Sequence, residues 1–600
     1  MDKIKTRGEI ATPDKWNMEA CYKNMDEVSN DIEKLKNEID ILASMQDSFL
    51  DSAENFRDYL KHDETASRLV DKLTVYSYCK KNEDSSVSTY QKLSGDVAKV
   101  CAEYNEKTSF VVPKILNMDE EKVFSYLDKY EELKPYDYFL RSVFNKKKHL
   151  LSEELEGLLS SYQPIFDASS ETSGYLRNAD MEFGMIQGED RNEIELSEAN
   201  YSSLIRSSNR EVRKNAFSKL MLSYAKMKNT LTSTYNTNVN YDAITSRIRK
   251  YDSSIEMYLD SKKIPVALYN NLVKTVRENL SSLYEYFDLK KNILGLDEFH
   301  LYDGYVSVIS ESDKKYTFDE AKDIVIDALK ILGEDYIKVL KTAFSERWID
   351  KYPNKGKRTG AYSFGAYDSL PYISLNFVGN YDDVSTLAHE LGHSMHSYYT
   401  IKNNSYIQAN YPIFLAEIAS TTNELLLNHY MLEHATDKQE KLSILNAKLD
   451  LFKGTLYRQT MFAEFEQQVH EYVDAGNTLT SDYLCDLYYK LNQDYFGPSV
   501  VVDDEIRYEW LRIPHFYNSF YVYQYATSLS ISCYIVDNII HNTPGFKEKY
   551  IEFLSSGGRD YPLEVLKIID IDLCDAKFFE SAMNDFKDTL NQFRKIYYEE

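Results

Sequence analysis

Only 20 glycines and 12 prolines occur in 600 residues, and this scarcity constrains the fold more than any other feature. Glycine serves turns and left-handed positions, and proline stands where a helix cannot continue. A chain poor in both runs in long helices with short connections, not in many small modules on linkers. The apolar pattern agrees. Over residues 20–200 it recurs at helical spacing, as in Val28, Ile32, Leu35, Ile39 and Ile41–Leu42, with Glu and Lys between. Two further helical runs cover 117–132 and 153–163. Residues 200–295 continue the pattern, with Pro265 near the start of one helix. The chain is several times a typical domain length, so one compact core is not expected.

The formal net charge of -26 repels phosphate backbones, which argues against nucleic acid as a partner. The six cysteines, Cys21, Cys79, Cys101, Cys485, Cys533 and Cys574, form no CxxC pair. Scattered thiols suit a reducing compartment and disfavour cysteine-based zinc sites and disulfide scaffolds. The opening MDKIKTRGEIATPDKW lacks the apolar core of a secretory signal, and no stretch of about 18 apolar residues is long enough for a membrane span. A cytoplasmic location and no membrane partner are therefore expected. The 51 tyrosines fit a compositional bias, or a polar groove lined in part by phenol hydroxyls.

The texture changes near residue 355. NKGKRTGAYSFGAYDSLPYISLNFVGNYDD holds four of the twenty glycines. Within it Tyr372, Ser374 and Asn376 alternate with Ile373, Leu375 and Phe377, which predicts a strand with one buried face. Asp382 and Asp383 then suit the first turn of a helix.

That helix carries Thr386-Leu387-Ala388-His389-Glu390-Leu391-Gly392-His393. His389 and His393, four residues apart, lie within about 40° of each other on one helix face. Two imidazoles so placed can hold one tetrahedral cation. Glu390 projects beside that face and can take a proton from a water that the ion activates. About 0.02 chance matches to this pattern are expected in a chain with so few histidines. The bland reading is two partly buried histidines beside a surface glutamate.

A third ligand is needed. His396 lies about 10.5 Å along the helix from His389, too far to share one ion with both others. The zinc motif with a glycine turn needs glycine at position 396 and histidine at 399, where this chain has His396 and Tyr399. A carboxylate from a following helix remains. No Asp or Glu stands between His393 and Glu417, and Pro412 suits a helix start. Glu417 is the expected third ligand. Glu424, seven residues on and on the same face, is the candidate to accept a proton from a ligand histidine.

These segments resemble the oligoendopeptidase F family, relatives of thimet oligopeptidase. The likeness is close around TLAHELGHSMHSYY and FLAEIASTTNELL, in KRTGAYSFGAYDSLPYISLNF upstream and in RIPHFYNSFYVYQYATS downstream. Weaker likeness in NREVRKNAF, LYDGYVSV, SGGRDYPLEVLK and DKWNMEACYKN extends it over nearly the whole chain. The resemblance implies a mainly α fold: a helical ellipsoid with a deep central channel and a small β-sheet beside the zinc-binding helix. It implies one Zn2+ per chain on His389, His393 and Glu417, with Glu390 as general base. A histidine and tyrosines of the family's C-terminal motif, which help bind substrate and stabilise the transition state, correspond to His515, Tyr521 and Tyr525. The implied activity is zinc-dependent endopeptidase cleavage of short, unstructured oligopeptides. We place an N-terminal helical domain at 1–200 and the zinc peptidase domain at 201–600, and expect a monomer. Two positions depart from the pattern: Ser528 and Asp570 stand where glycine is usual. Ser528 is expected to alter loop flexibility or substrate preference.

Two other readings fit the motif. A carboxypeptidase or dipeptidase can carry the same histidine pair with a downstream glutamate. A structural zinc site would make the helices a scaffold, but such sites usually have four protein ligands, often cysteine.

Overall fold

The computed structural model describes residues 4–190, 192–309 and 314–599. It is helical almost throughout, and it divides into two compact units that are each discontinuous in sequence. The first comprises Met1–Lys147, Asp313–Glu433 and Tyr534–Ile571; the second comprises Lys148–Ser312, His434–Cys533 and Asp572–Glu600. These units cut across the contiguous division at residue 200 expected from the sequence.

In the first unit the helices Met25–Ser44, Ala53–Glu83 and Ser88–Thr108 pack on one another. Val28, Leu35, Ile39 and Leu42 are buried at intervals of one or two turns, as an amphipathic stripe requires. Ile32 is only partly buried and Ile41 is exposed, so the buried stripe is narrower than the apolar spelling suggests. Asn24 caps the first of these helices and Ser52 the second, each side chain accepting backbone N–H bonds. The run expected at 117–132 stops early. Its helix is Glu120–Leu127, followed by a 3-10 segment Glu131–Tyr136 that contains Pro135, a residue with no N–H to continue an α-helix.

A three-stranded sheet in this unit precedes the histidine motif. Its order is Ile349–Asp350, Tyr372–Ser374, Tyr362–Phe364. The first pair is parallel and the second antiparallel, with Ser363 opposite Ile373. The strand expected over 372–377 is thus short and central. Tyr372, Ile373, Ser374 and Leu375 are all buried, so the expectation of one buried face is corrected: a central strand is covered on both sides. Gly365 permits the hairpin, because a Cβ there would lie 2.8 Å from Pro371 Cα. Beneath the sheet Lys357 is buried, its Nζ donating to Asp350 Oδ1 at 2.6 Å and to the carbonyls of Tyr352 and Leu375. Arg7 pairs with the same aspartate and with Glu83. A buried charge persists only when paired and bonded in this way.

The second unit holds the helix Glu153–Tyr175, which extends the run expected at 153–163 through Pro164. It also holds Val266–Glu278, which Pro265 caps. Lys438–Phe452 packs against Lys577–Tyr598. Strand texture missed two pairings here: Met185–Gln187 with Glu193–Glu195, antiparallel, and Phe299–His300 with Val500–Val501, parallel. Both are only two or three residues long, too short for a period-two pattern to register.

Tyrosine is a core residue in this protein. Among the described residues, eleven of the twelve largest fully buried side chains are tyrosines. Several place the hydroxyl on an internal acceptor, as Tyr269 does on the Ala463 carbonyl at 2.7 Å. These tyrosines pack inside the protein and do not line a groove. Ser528 is buried within the helix Tyr523–Ile540, so an effect on loop flexibility is ruled out. Asp570 has φ +58°, the left-handed region glycine adopts freely, which explains why glycine suits that position. No helix of the described residues is long and apolar enough to cross a membrane. The six cysteines are free.

Candidate metal centre

The motif lies on the helix Tyr381–Asn403 of the first unit. Asn380, not Asp382, is its N-cap, accepting from Asp383 N–H at 2.8 Å. Asp383 Oδ2 returns the bond to the Asn380 N–H and also takes those of Val378 and Gly379. Four hydrogen bonds thus lock the helix start. The helix Ile413–His434 brings the carboxylates.

Gly392 governs how closely the two helices approach. A Cβ there would stand 2.5 Å from Ser420 Cα and 2.6 Å from the Ala419 carbonyl oxygen. Asn423 fastens the same crossing, its Nδ2 donating to the Ala388 carbonyl at 3.1 Å while its Oδ1 accepts from Tyr336. Gly392→Ala is expected to force these backbones apart. Overpacking of this kind costs about 1–3 kcal/mol, so thermal unfolding should shift down by several degrees, and metal should bind more weakly. An alanine variant with unchanged melting and metal affinity would show that the crossing has slack.

The crossing places His389 Nε2 3.2 Å from His393 Nε2, with Glu417 Oε2 3.5 Å from the first and 3.6 Å from the second. Donors bound to one tetrahedral cation at about 2.0–2.1 Å are separated by about 3.3–3.4 Å, so this triangle fits a single ion. Among the described residues these three form the metal-competent cluster. Each is partly exposed, which leaves a side open to solvent. Ser420 Oγ donates to Glu417 Oε2 at 3.2 Å and steadies it.

Glu424 meets His389 Nδ1. Nδ1–H donation to that carboxylate leaves the Nε2 lone pair facing the cluster. Burial opposes a charge on His389, but the Glu424 bond and the nearby carboxylates outweigh it and raise its pKa to about 9. Burial instead lowers His393 to about 4. His389 would have to give up its Nε2 proton to hold a cation. Glu424→Ala is expected to weaken metal binding about 10–100-fold, measured by competition with a chromophoric chelator; unchanged affinity would remove Glu424 from this role.

Glu390 is not part of the triangle. It is buried, and its Oε2 has no hydrogen-bond partner. The backbone N–H of Ser363, on the sheet's edge strand, acts to lower the pKa of this carboxylate. Burial raises its pKa to about 7, near the value a general base or acid needs at neutral pH. A pocket of about 390 Å3 opens at this point, lined by Ala361, Asp382, Ser385, Thr386, His389, Glu390 and Glu424. His396 lies elsewhere: it is buried, stacked on Tyr411 at 3.7 Å, and burial lowers its pKa to about 3. It is a neutral core histidine.

His515, Tyr521 and Tyr525 belong to the second unit, and the structure gathers them there. The Tyr521 and Tyr525 rings are 5.5 Å apart, and those of His515 and Tyr525 6.2 Å. His515 is exposed and the two tyrosines are partly so, whereas Phe516, Phe520, Val522 and Tyr523 between them are buried. The sequence reading overlooked Gly392 and Asn423. Gly392 stood inside the motif and was the available signal; Asn423 gave none.

The model of peptidase family M3 matches residues 203–585, and that of oligopeptidase F matches residues 114–183. Oligopeptidase PepF of Bacillus subtilis is 38% identical over 99% of this chain and 89% of its own length. An oligoendopeptidase F homolog of Lactococcus lactis is 37% identical over 99% and 98%. A crystal structure of oligoendopeptidase-F from Enterococcus faecium has a TM-score of 0.75 at 34% identity, covering 95% of this chain and 99% of that one. A peptidase crystal structure from Chlamydophila abortus reaches a TM-score of 0.92 at 33% identity, covering 99% of this chain and 100% of that one. Relatives this similar, matched over almost their full length, settle the descent: the chain belongs to peptidase family M3, with an oligopeptidase F segment at its N-terminal side, and is a metallopeptidase that hydrolyses peptides.

Proposed function

We propose that this chain is a zinc-dependent endopeptidase acting on short, unstructured oligopeptides, with His389, His393 and Glu417 holding the ion and Glu390 acting as base. The observation that carries this reading is the triangle of three donor atoms beside a buried carboxylate. Hard-to-oxidise N and O donors in a three-ligand set with an open side suit catalytic zinc. Zinc bound there supplies Lewis acidity to the attacking water and to the scissile carbonyl.

Glu390 takes the proton of the attacking water on Oε2 and passes it to the leaving amine. Ser363 N–H and burial hold that carboxylate at a pKa suited to both transfers. The extended substrate pairs with the edge strand Tyr362–Phe364. The central strand Tyr372–Ser374 has both edges occupied, so it cannot take another partner. The family resemblance supports His515, Tyr521 and Tyr525, which lie together on the second unit, as hydrogen-bond donors to substrate; losing one such donor costs about 3–4 kcal/mol. The names of the relatives support oligopeptides as substrates. Free thiols support a reducing, cytoplasmic setting, and we propose a monomer.

The test is digestion of a peptide library blocked at both ends, followed by mass spectrometry, with and without a chelator. Internal cleavage that stops on chelation and returns with zinc is expected. Release of terminal residues only, from unblocked peptides, would favour the exopeptidase reading. Cleavage indifferent to chelation would overturn the metal assignment.

A further inference from the structure

Three ionisable side chains are buried together in the second unit. Asp242 lies on the helix Lys228–Ile248, and Glu466 and His470 lie one turn apart on the helix Arg458–Asp474. Removing such groups from water is costly unless each is bonded. Their bonds converge on one turn. Phe520 N–H donates to Glu466 Oε1 at 2.7 Å, and Ser519 Oγ donates to Asp242 Oδ2 at 2.6 Å. His470 braces the group, with Nε2 donating to Asp242 Oδ2 at 3.0 Å and Nδ1 to the Glu466 carbonyl at 2.9 Å. Tyr258 OH donates to Asp242 Oδ1 at 2.7 Å.

The turn needs holding. Phe520 has φ +56°, a left-handed conformation that costs a residue with a side chain about 1–2 kcal/mol. Its ring packs on His470 at 4.6 Å and on Tyr258 at 5.6 Å. Burial pushes Glu466 up to about 8, so at neutral pH it accepts the Phe520 bond without an uncompensated charge. Tyr521 follows directly, and His515 and Tyr525 share its surface.

We propose that Glu466, Asp242 and His470 are positioning residues that clamp the Ser519–Phe520 turn and thereby fix Tyr521, Tyr525 and His515 for peptide hydrolysis. The inference rests on the reading of those three as hydrogen-bond donors to substrate. Being buried, the clamp acts through the turn and not on the substrate. A strained turn of this kind at a functional segment is expected where the surroundings over-determine it.

Steady-state kinetics of the zinc-loaded full chain on a quenched fluorogenic peptide test it. Glu466→Leu removes the acceptor of the Phe520 bond, Ser519→Ala breaks the bond to Asp242 with little loss of packing, and Glu466→Gln keeps an acceptor. Misplacement of donors by about 1 Å can cost 10²-fold. Glu466→Leu should therefore lower kcat about 10–100-fold and Ser519→Ala at least about threefold, with zinc content and KM nearly unchanged, while Glu466→Gln recovers most of the loss. In a Tyr521→Phe/Tyr525→Phe background, Ser519→Ala should add little, because it acts through donors already removed. If the tyrosine double variant is slow but the clamp variants run at full speed, or their effects multiply independently, the clamp is overturned and the donors stand. If the tyrosine double variant runs at full speed, the donor reading falls and the inference with it. Should Glu466→Leu not fold, Ser519→Ala in the two backgrounds decides.

Discussion

Glu390→Gln is expected to keep one zinc ion per chain and to lose about 10²–10⁴ in kcat, the usual worth of a general base. The amide has nearly the carboxylate's shape. What it loses is the ability to take a proton at the unpartnered Oε2. A 10³-fold loss corresponds to about 4 kcal/mol of barrier, far more than a change of one buried polar atom brings through stability alone. Metal analysis and melting temperature should match the parent protein, which separates chemistry from folding. A glutamine variant that holds zinc and turns over at near-parental rate would require another base.

The second large effect is loss of a ligand. His389→Ala removes one corner of the triangle and leaves the Glu424 and Glu417 carboxylates without the imidazole between them. Glu417→Ala leaves two imidazoles, which alone do not make a three-ligand site. Both variants should emerge from dialysis with little zinc. Lewis-acid stabilisation is worth several kcal/mol, so activity should fall by about 10³-fold or more. Mass-spectrometric metal analysis of the dialysed proteins gives the answer directly. Stoichiometric zinc in either variant would strike that residue from the ligand set. Circular dichroism should stay helical, because the crossing is held by Gly392 and Asn423 and not by the ligands.

Much of the centre was readable along the chain because its parts are local. Helical geometry alone puts His389 and His393 on one face and Glu390 beside it. The absence of acids between His393 and Glu417 left one nearby carboxylate to choose. The long helices followed from the scarcity of glycine and proline. Where the reading failed, the missing information was the neighbour and not the residue. Alternation at 372–377 indicated a strand, but whether a strand is central or at an edge depends on what pairs with it. Here pairing on both sides buried it and moved the free edge to Tyr362–Phe364. Apolar spelling likewise overcounted the buried stripe at Ile41.

By itself, then, the sequence determined the helical class, the pair of imidazoles with their adjoining carboxylate, and the candidates Glu417 and Glu424, because each depends on a period of a few residues within one element. Only the tertiary structure decided that Gly392 lets two backbones touch, that Glu424 meets Nδ1 of His389, and that the chain folds back into two discontinuous units. It alone joined Asp242, Glu466 and Ser519, which are hundreds of positions apart at the extremes. Periodicity tells which face of an element turns inward; which surface it meets there is set by packing, and packing contacts carry no period.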